Sequence, residues 1–148
     1  MPQNATVRGF KVTTSNKSVA TATINGNYIT IKAKGAGVAK LTSTSLGKKS
    51  NDKYATKTIK VSVKPNKVSN LKKSSVKKNS FKISWKKQSG VSGYEIQANG
   101  KKYKTSKTSY TIKRLKSKKT YKVVIKSYKK TRDGTVYSNS ASIKIKTK

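Results

Sequence analysis

Three carboxylates, Asp52, Glu95 and Asp133, are the whole acidic complement of this 148-residue chain, and they stand against 37 lysines and arginines. Histidine and cysteine are absent. General acid–base catalysis needs a titratable group held against the reacting bond, and a two-carboxylate mechanism needs two acids in one cleft. Asp52 and Asp133 fall in loop-like segments on opposite sides of the internal proline, and Glu95 stands alone in a strand-like run. No acid pair is therefore expected. Without cysteine there is no thiol nucleophile, thiolate metal site or disulfide framework. A calcium site needs several carboxylate oxygens close together, and a strongly positive field opposes any cation. Serines and lysines are so abundant that a Ser–Lys pair would arise by chance, and nothing marks one out. The residues predict a non-catalytic chain with no metal and no cofactor.

What remains for chemistry is lysine charge and tyrosine rings. The formal net charge is +34, and only Arg8, Arg114 and Arg132 of the basic residues are arginines. Lysine presents a compact, strongly hydrated point charge, whereas arginine offers a planar fork. The composition therefore favours diffuse attraction of polyanions over base-specific readout, with weak non-specific nucleic-acid binding expected in vitro. The expected partner is an anionic polymer, either a cell-wall polymer or an acidic glycan. Without such a partner, the same lysines simply solvate the surface. The Met1-Pro2-Gln3-Asn4 start has no apolar signal core, and no apolar run is long enough to span a bilayer. Any signal or anchor of an exported protein is expected outside this chain.

The elements that must carry these side chains alternate with a period of two: Tyr28-Ile29-Thr30-Ile31-Lys32, Thr58 to Val63, Phe81-Lys82-Ile83-Ser84-Trp85 and Ile143-Lys144-Ile145-Lys146. Asn25-Gly26, Gly35-Ala36-Gly37, Ser89-Gly90, Asn99-Gly100 and Asp133-Gly134 punctuate them. The fold class is all-β. Pro65 follows a strong strand and precedes a polar stretch, as at a short inter-domain joint, which divides the chain into residues 1–64 and 65–148. The second part carries 25 basic residues against 12 in the first, so most of the field belongs to it.

In the second part, strand A is expected at Lys67–Leu71, B at Phe81–Trp85 and C at Gly93–Ala98. Short strands follow around Tyr103 and Tyr110–Ile112, then F over Tyr121–Tyr128 and a last strand through Ile143 and Ile145. Trp85 on strand B, Gly93-Tyr94 opening strand C, and Leu115 ahead of Lys119-Thr120-Tyr121 resemble a fibronectin type III domain over residues 66 to 148, the last group matching that family's tyrosine corner. The first part is similar to bacterial immunoglobulin-like repeats of the second group, through Thr13 to Thr21, Ile29 to Thr42 and a closing strand Ala55 to Lys64. That match spans roughly residues 10 to 64 and is short of the usual module at its start. Upstream residues, a degenerate strand over residues 1 to 12 or a neighbouring chain would complete it. Together these resemblances imply two tandem immunoglobulin-like/fibronectin-type β-sandwiches from a larger bacterial surface or secreted protein.

On that framework Lys122, Val124, Lys126 and Tyr128 point outward from strand F, beside Lys144 and Lys146 on the last strand. Lys129, Lys130 and Arg132 are expected to continue this basic face into the following loop, with Glu95 pairing one of its lysines. Trp85, Tyr94 and Tyr121 are core residues by phase. Tyr28, Tyr54, Tyr103, Tyr128 and Tyr137 are freer, and Tyr103 and Tyr128 are the candidates for stacking on a sugar ring. The functional expectation is a non-catalytic adhesion or spacer segment, extracellular or at the cell surface, that clings to anionic polymer and adjoins further domains. The alternative is a carbohydrate-binding module or a purely structural spacer.

Overall fold

The computed structural model describes residues 9–26, 28–45 and 56–148. Asp52 and Tyr54, both singled out above, lie outside the described residues. The fold is all-β, with thirteen strands and no helix among the described residues. It consists of two β-sandwiches in tandem.

The first sandwich uses β1 (Phe10–Thr14), β2 (Ala20–Asn25), β3 (Tyr28–Ala33), β4 (Gly37–Ser45) and β5 (Thr56–Val63). One sheet runs β1-β4-β5, and the β2–β3 hairpin faces it. Asn25 pairs with Tyr28, so the hairpin closes one residue later than the Asn25-Gly26 dipeptide predicts. Val19, Ala20 and Ala39 are fully buried, with Val61 and Val63 packed against them. At the other end the layers part around a groove of about 240 Å³ lined by Val12, Ile29, Leu41 and Ile59. There Phe10, Ile29 and Ile59 each keep more than 40% of their surface exposed.

The second sandwich begins with the short edge strand β6 (Lys72–Ser74), followed by β7 (Phe81–Ser84), β8 (Gly93–Ala98), β9 (Lys101–Thr105), β10 (Ser109–Ile112), β11 (Thr120–Thr131), β12 (Gly134–Tyr137) and β13 (Ala141–Lys146). One sheet is β10-β7-β6; the other is β12-β11-β8-β9 with β13 also paired to β11. Its core is much larger, with fourteen buried apolar residues among those described. Phe81, Ile83, Ile96, Val123, Ile125 and Ile145 are wholly buried, in the two-residue phase that the sequence shows.

Two local expectations are corrected. Lys67–Leu71 forms no ladder. It runs extended, buries Val68 and accepts from the Lys86 N–H through Ser69 O at 3.0 Å, while pairing with β7 starts at Lys72. Strand F continues three residues past Tyr128, because the Arg132-Asp133 turn carries the ladder on into β12. The last strand forms as expected, as β13 through Ile143 and Ile145, and a further strand, β12, precedes it; between them Ser138 Oγ accepts from the Ser127 N–H at 3.0 Å.

Two hydroxyls tie loops to the core. Tyr121 Oη accepts from the Lys116 N–H at 2.8 Å, and Tyr94 Oη accepts from the Gln88 N–H at 2.9 Å. Replacing Tyr121 with phenylalanine leaves the Lys116 N–H without that partner, a loss of roughly 1–3 kcal/mol. Urea unfolding of Tyr121→Phe should show it as a lower midpoint at unchanged slope. Ile96→Ala should cost more, about 2–5 kcal/mol, because it opens a cavity beneath both sheets.

Candidate polyanion-binding surfaces

The outer face of the β9-β8-β11-β13 sheet is set by register. Lys104 lies opposite Glu95 and Glu95 opposite Lys126; Lys122 lies opposite Lys144, and Thr120 opposite Lys146. All these positions share one phase, because Tyr121, Val123 and Ile125 between them are buried. Like charges directly across a ladder destabilise it, so the Lys122–Lys144 pair is a standing cost that an anion would relieve. Glu95 makes its ion pair with Lys102 of β9, Nζ to Oε1 3.9 Å, and not with a lysine of β11 or β13 as expected. Lys102 projects from the neighbouring strand on the same face. With one partner side chain two-thirds exposed, that pair adds little to stability.

Tyr128 does face outward, but it is no bare platform. Its ring meets Tyr137 at 5.8 Å between centroids, and Lys104 Nζ stands 5.6 Å from its centre. Tyr137 is thereby half-buried. Beneath the ring lies Gly93, where an added Cβ would come within 2.9 Å of the Tyr128 hydroxyl. Tyr103 is also less free than expected. It points to the core side opposite Ile96, packs at 5.2 Å against Tyr110, and leaves only part of its ring to solvent. That pair lines a groove of about 430 Å³ with Asn99, Lys113 and Arg114.

The structure does not extend the basic face through the hairpin in the way the sequence suggests. Lys130 keeps the outward phase. Lys129 alternates to the opposite side, opposite Val136, and its Cγ comes 3.6 Å from a methyl group built on Gly37 of the first sandwich. Arg132 lies in a recess with Thr13, Ser15 and Lys40. Both are diverted because the β11–β12 hairpin docks on β4. Ladder pairing of β1 with β4 ends at Leu41, leaving the backbone of Lys40 and Val38 to find other partners. Ser15 takes both groups of Lys40, at 2.9 Å each. Thr131 Oγ1 meets both groups of Val38, accepting from the N–H at 3.3 Å and sharing its one proton between the Val38 carbonyl at 3.1 Å and the Gly134 carbonyl at 3.0 Å. The Ser15 hydroxyl then donates to Asp133, so an acid that looked isolated in sequence fastens the two sandwiches. Val38 and Ala39 are consecutive strand residues, yet both are buried. Ala39 fills its own core, and the hairpin covers Val38.

On the other side of the joint a concave cleft of about 610 Å³ separates the sandwiches. Lys34, Lys64, Lys67, Lys86 and Lys87 line it, and no acid does. The sequence shows Lys86-Lys87 only as one lysine cluster among several. Its alignment with Lys34 depends on how the sandwiches dock.

A tandem of β-sandwiches with a tyrosine-corner hydrogen bond in its second member is a modular sandwich protein. Residues 66–144 match the Fibronectin type III domain, and the chain belongs to that family. In sequence no curated protein matches it. Among solved structures it is similar to a two-fibronectin-type-III segment of chicken tenascin, with a TM-score of 0.57 at 19% identity over 97% of this chain and 87% of that one. It is also similar to the FN1–FN3 domains of chicken CNTN1, with a TM-score of 0.50 at 14% identity over 81% and 47%. A chitinase, ChiA74 from Bacillus thuringiensis, matches at 31% identity with a TM-score of 0.49, over 55% of this chain. The chain spans only 13% of that chitinase's length.

The docking contacts make a direct prediction. Thr131→Val keeps the shape of the side chain but removes both hydrogen bonds to Val38, so exchange of the Val38 amide hydrogen should accelerate at least about fivefold, given roughly 1–3 kcal/mol for a buried group left unpaired. Exchange of the Ile96 and Val123 amides should not change. Uniform acceleration across both sandwiches would show that the threonine supports global stability instead of the docking.

Proposed function

We propose that the chain is a non-catalytic segment of an extracellular or cell-surface protein that holds neighbouring domains apart and adheres to anionic cell-wall polymer or acidic glycan. The proposed boundary falls at 64/65, with the first module a bacterial immunoglobulin-like repeat; the Thr13 to Thr21 and Ile29 to Thr42 runs support that assignment. The observation that carries the adhesion reading is the Lys104, Lys122, Lys126, Lys144 and Lys146 array on one sheet face, offset only by Glu95. Lys130 extends the array along β11. Lys129 and Arg132, turned toward the first sandwich, contribute to attraction only through the overall field. The density of lysine and the rarity of arginine suit clustered, hydrated oxyanions.

Purified anionic wall polymer, with starch as the neutral comparison and an unrelated protein of equal charge as control, tests the reading. Binding to the wall polymer should exceed the control and fall roughly ten- to hundredfold between about 50 and about 200 mM salt, as displaced counterions require. Lys122→Gln with Lys144→Gln should weaken it without loss of folding. Binding no stronger than the control would leave only a spacer. A second reading rests on the Tyr103–Tyr110 groove, which is of a size to take a sugar ring. It requires salt-resistant binding to the neutral polymer that Tyr103→Ala abolishes.

A further inference from the structure

The cleft between the sandwiches differs in kind from the flat lysine face. Its lysines come from three separate pieces of chain: Lys34 from the β3–β4 connection, Lys64 and Lys67 from the joint, and Lys86 and Lys87 from the loop after β7. A concave, acid-free wall concentrates the potential of its charges, whereas a flat or convex surface disperses it into solvent. The cleft is also held open. Gln88 Nε2 donates to Asn66 O at 2.8 Å and to Lys67 O at 3.2 Å, and Ser127 Oγ donates to Asn66 O at 3.1 Å. Pro65 and Val68 are buried on either side of these bonds. The joint is therefore clamped onto the second sandwich by its carbonyls while its lysine side chains stay exposed. The Thr131–Val38 contact fixes the first sandwich against the same body.

We propose that this cleft is a binding site for a short oligoanion, a run of about three closely spaced tetrahedral oxyanions, gripped between the two sandwiches. Its volume lies in the range of sites for small organic ligands, about 300–1,000 Å³, and so suits a trisaccharide-sized ligand. Lysine binds phosphate-type groups as a point charge, without the fork geometry by which arginine selects a planar ligand, so the cleft reads density of charge, and phosphate or sulfate esters repeated along a chain supply it. Phosphate on a polyol chain and sulfate on a sugar chain share this chemistry. The site rests on the polyanion reading above and adds to it a location, a ligand size and a role for the tandem arrangement. Neither sandwich alone supplies the grip, because Lys34 stands on one wall and Lys86 and Lys87 on the other.

The test is calorimetric titration of the whole chain with a glycerol-phosphate trimer, a fully sulfated trisaccharide and the unsulfated trisaccharide. Two double variants with the same charge change are compared: Lys34→Gln with Lys87→Gln in the cleft, and Lys78→Gln with Lys116→Gln beside the Leu115–Asn79 contact, outside both the cleft and the sheet face. All four positions are exposed, and circular dichroism checks folding. The cleft variant should lose at least about tenfold in affinity for a charged trimer and the Lys78/Lys116 variant less than about threefold, since a localised set of contacts is removed in one and only net charge in the other. Lys34→Arg with Lys87→Arg should retain binding. The neutral trisaccharide should not bind, and the stronger of the two charged trimers identifies the ester. Equal losses in the two variants would overturn the cleft and leave the diffuse polyanion reading standing. Binding of the neutral sugar as strong as that of the charged trimers would overturn the oxyanion assignment. No binding of either trimer by the unmodified chain, with wall polymer still bound, would remove the site alone. Failure with the polymer as well would remove the reading on which it rests.

Discussion

Backbone groups within a sheet must find partners, and beyond the end of β1 the exposed edge of β4 finds two of its partners in the other sandwich. Thr131 supplies both hydrogen bonds to Val38 that a longer β1 would have made. That one hydroxyl, with Ser15 and Asp133 beside it, sets where the β11–β12 hairpin rests. The hairpin in turn buries Val38 on the outer side of its strand and turns Lys129 and Arg132 away from the basic face. Gly37 is part of the same fit. Its φ is 142°, and a Cβ there would come within 2.7 Å of the Thr131 methyl and 2.8 Å of Val19, so the close approach needs a residue without a side chain.

The two sandwiches bear unequal shares of the work of staying folded. A net charge of +34 opposes the compact state throughout the chain, and no disulfide offsets it. The second sandwich meets this with a continuous core from Val68 to Ile145 and with tyrosine hydroxyls that tie its loops down. The first sandwich has a core built around Val19, Ala20 and Ala39, and its layers separate toward Phe10 and Ile59. Docking on the larger partner buries Val38 and gives the smaller sandwich apolar contact that its own sheets do not provide. A tandem of this kind presents charge in two forms. On the sheet face lysines are spaced by the ladder and pointed into open solvent; in the cleft they converge from separate segments.

Much of this was legible in the residues. Two-residue alternation is a local property of a half-buried strand, so the pattern of residue types alone assigns Phe81, Ile83, Tyr94, Ile96, Val123 and Ile145 to the core. The same phase put Lys122, Lys126, Lys144 and Tyr128 on the outside. Trp85, Gly93-Tyr94 and Tyr121, at family spacing, brought the fibronectin type III fold within reach. The errors fell where geometry is non-local. Lys67–Leu71 has a strand's composition but joins no ladder, and Ser69 O instead accepts from the Lys86 N–H just past the end of β7. Tyr103 looked free because its partner Tyr110 is on another strand, and the choice of Lys102 over Lys126 as the partner of Glu95 depended on side-chain reach across the ladder.

The sequence by itself determined the all-β class, the absence of histidine and thiol chemistry, the excess of lysine and the inward or outward phase of each strand, because composition and period are fixed along the chain. Only the tertiary structure decided that Asp133 and Thr131 fasten one sandwich to the other, that Arg132 leaves the basic face, and that Lys34 comes to share a cleft with Lys87. Those outcomes depend on how two separately folded bodies dock. Docking is set by unpaired backbone edges and shape, neither of which leaves a periodic mark in the sequence.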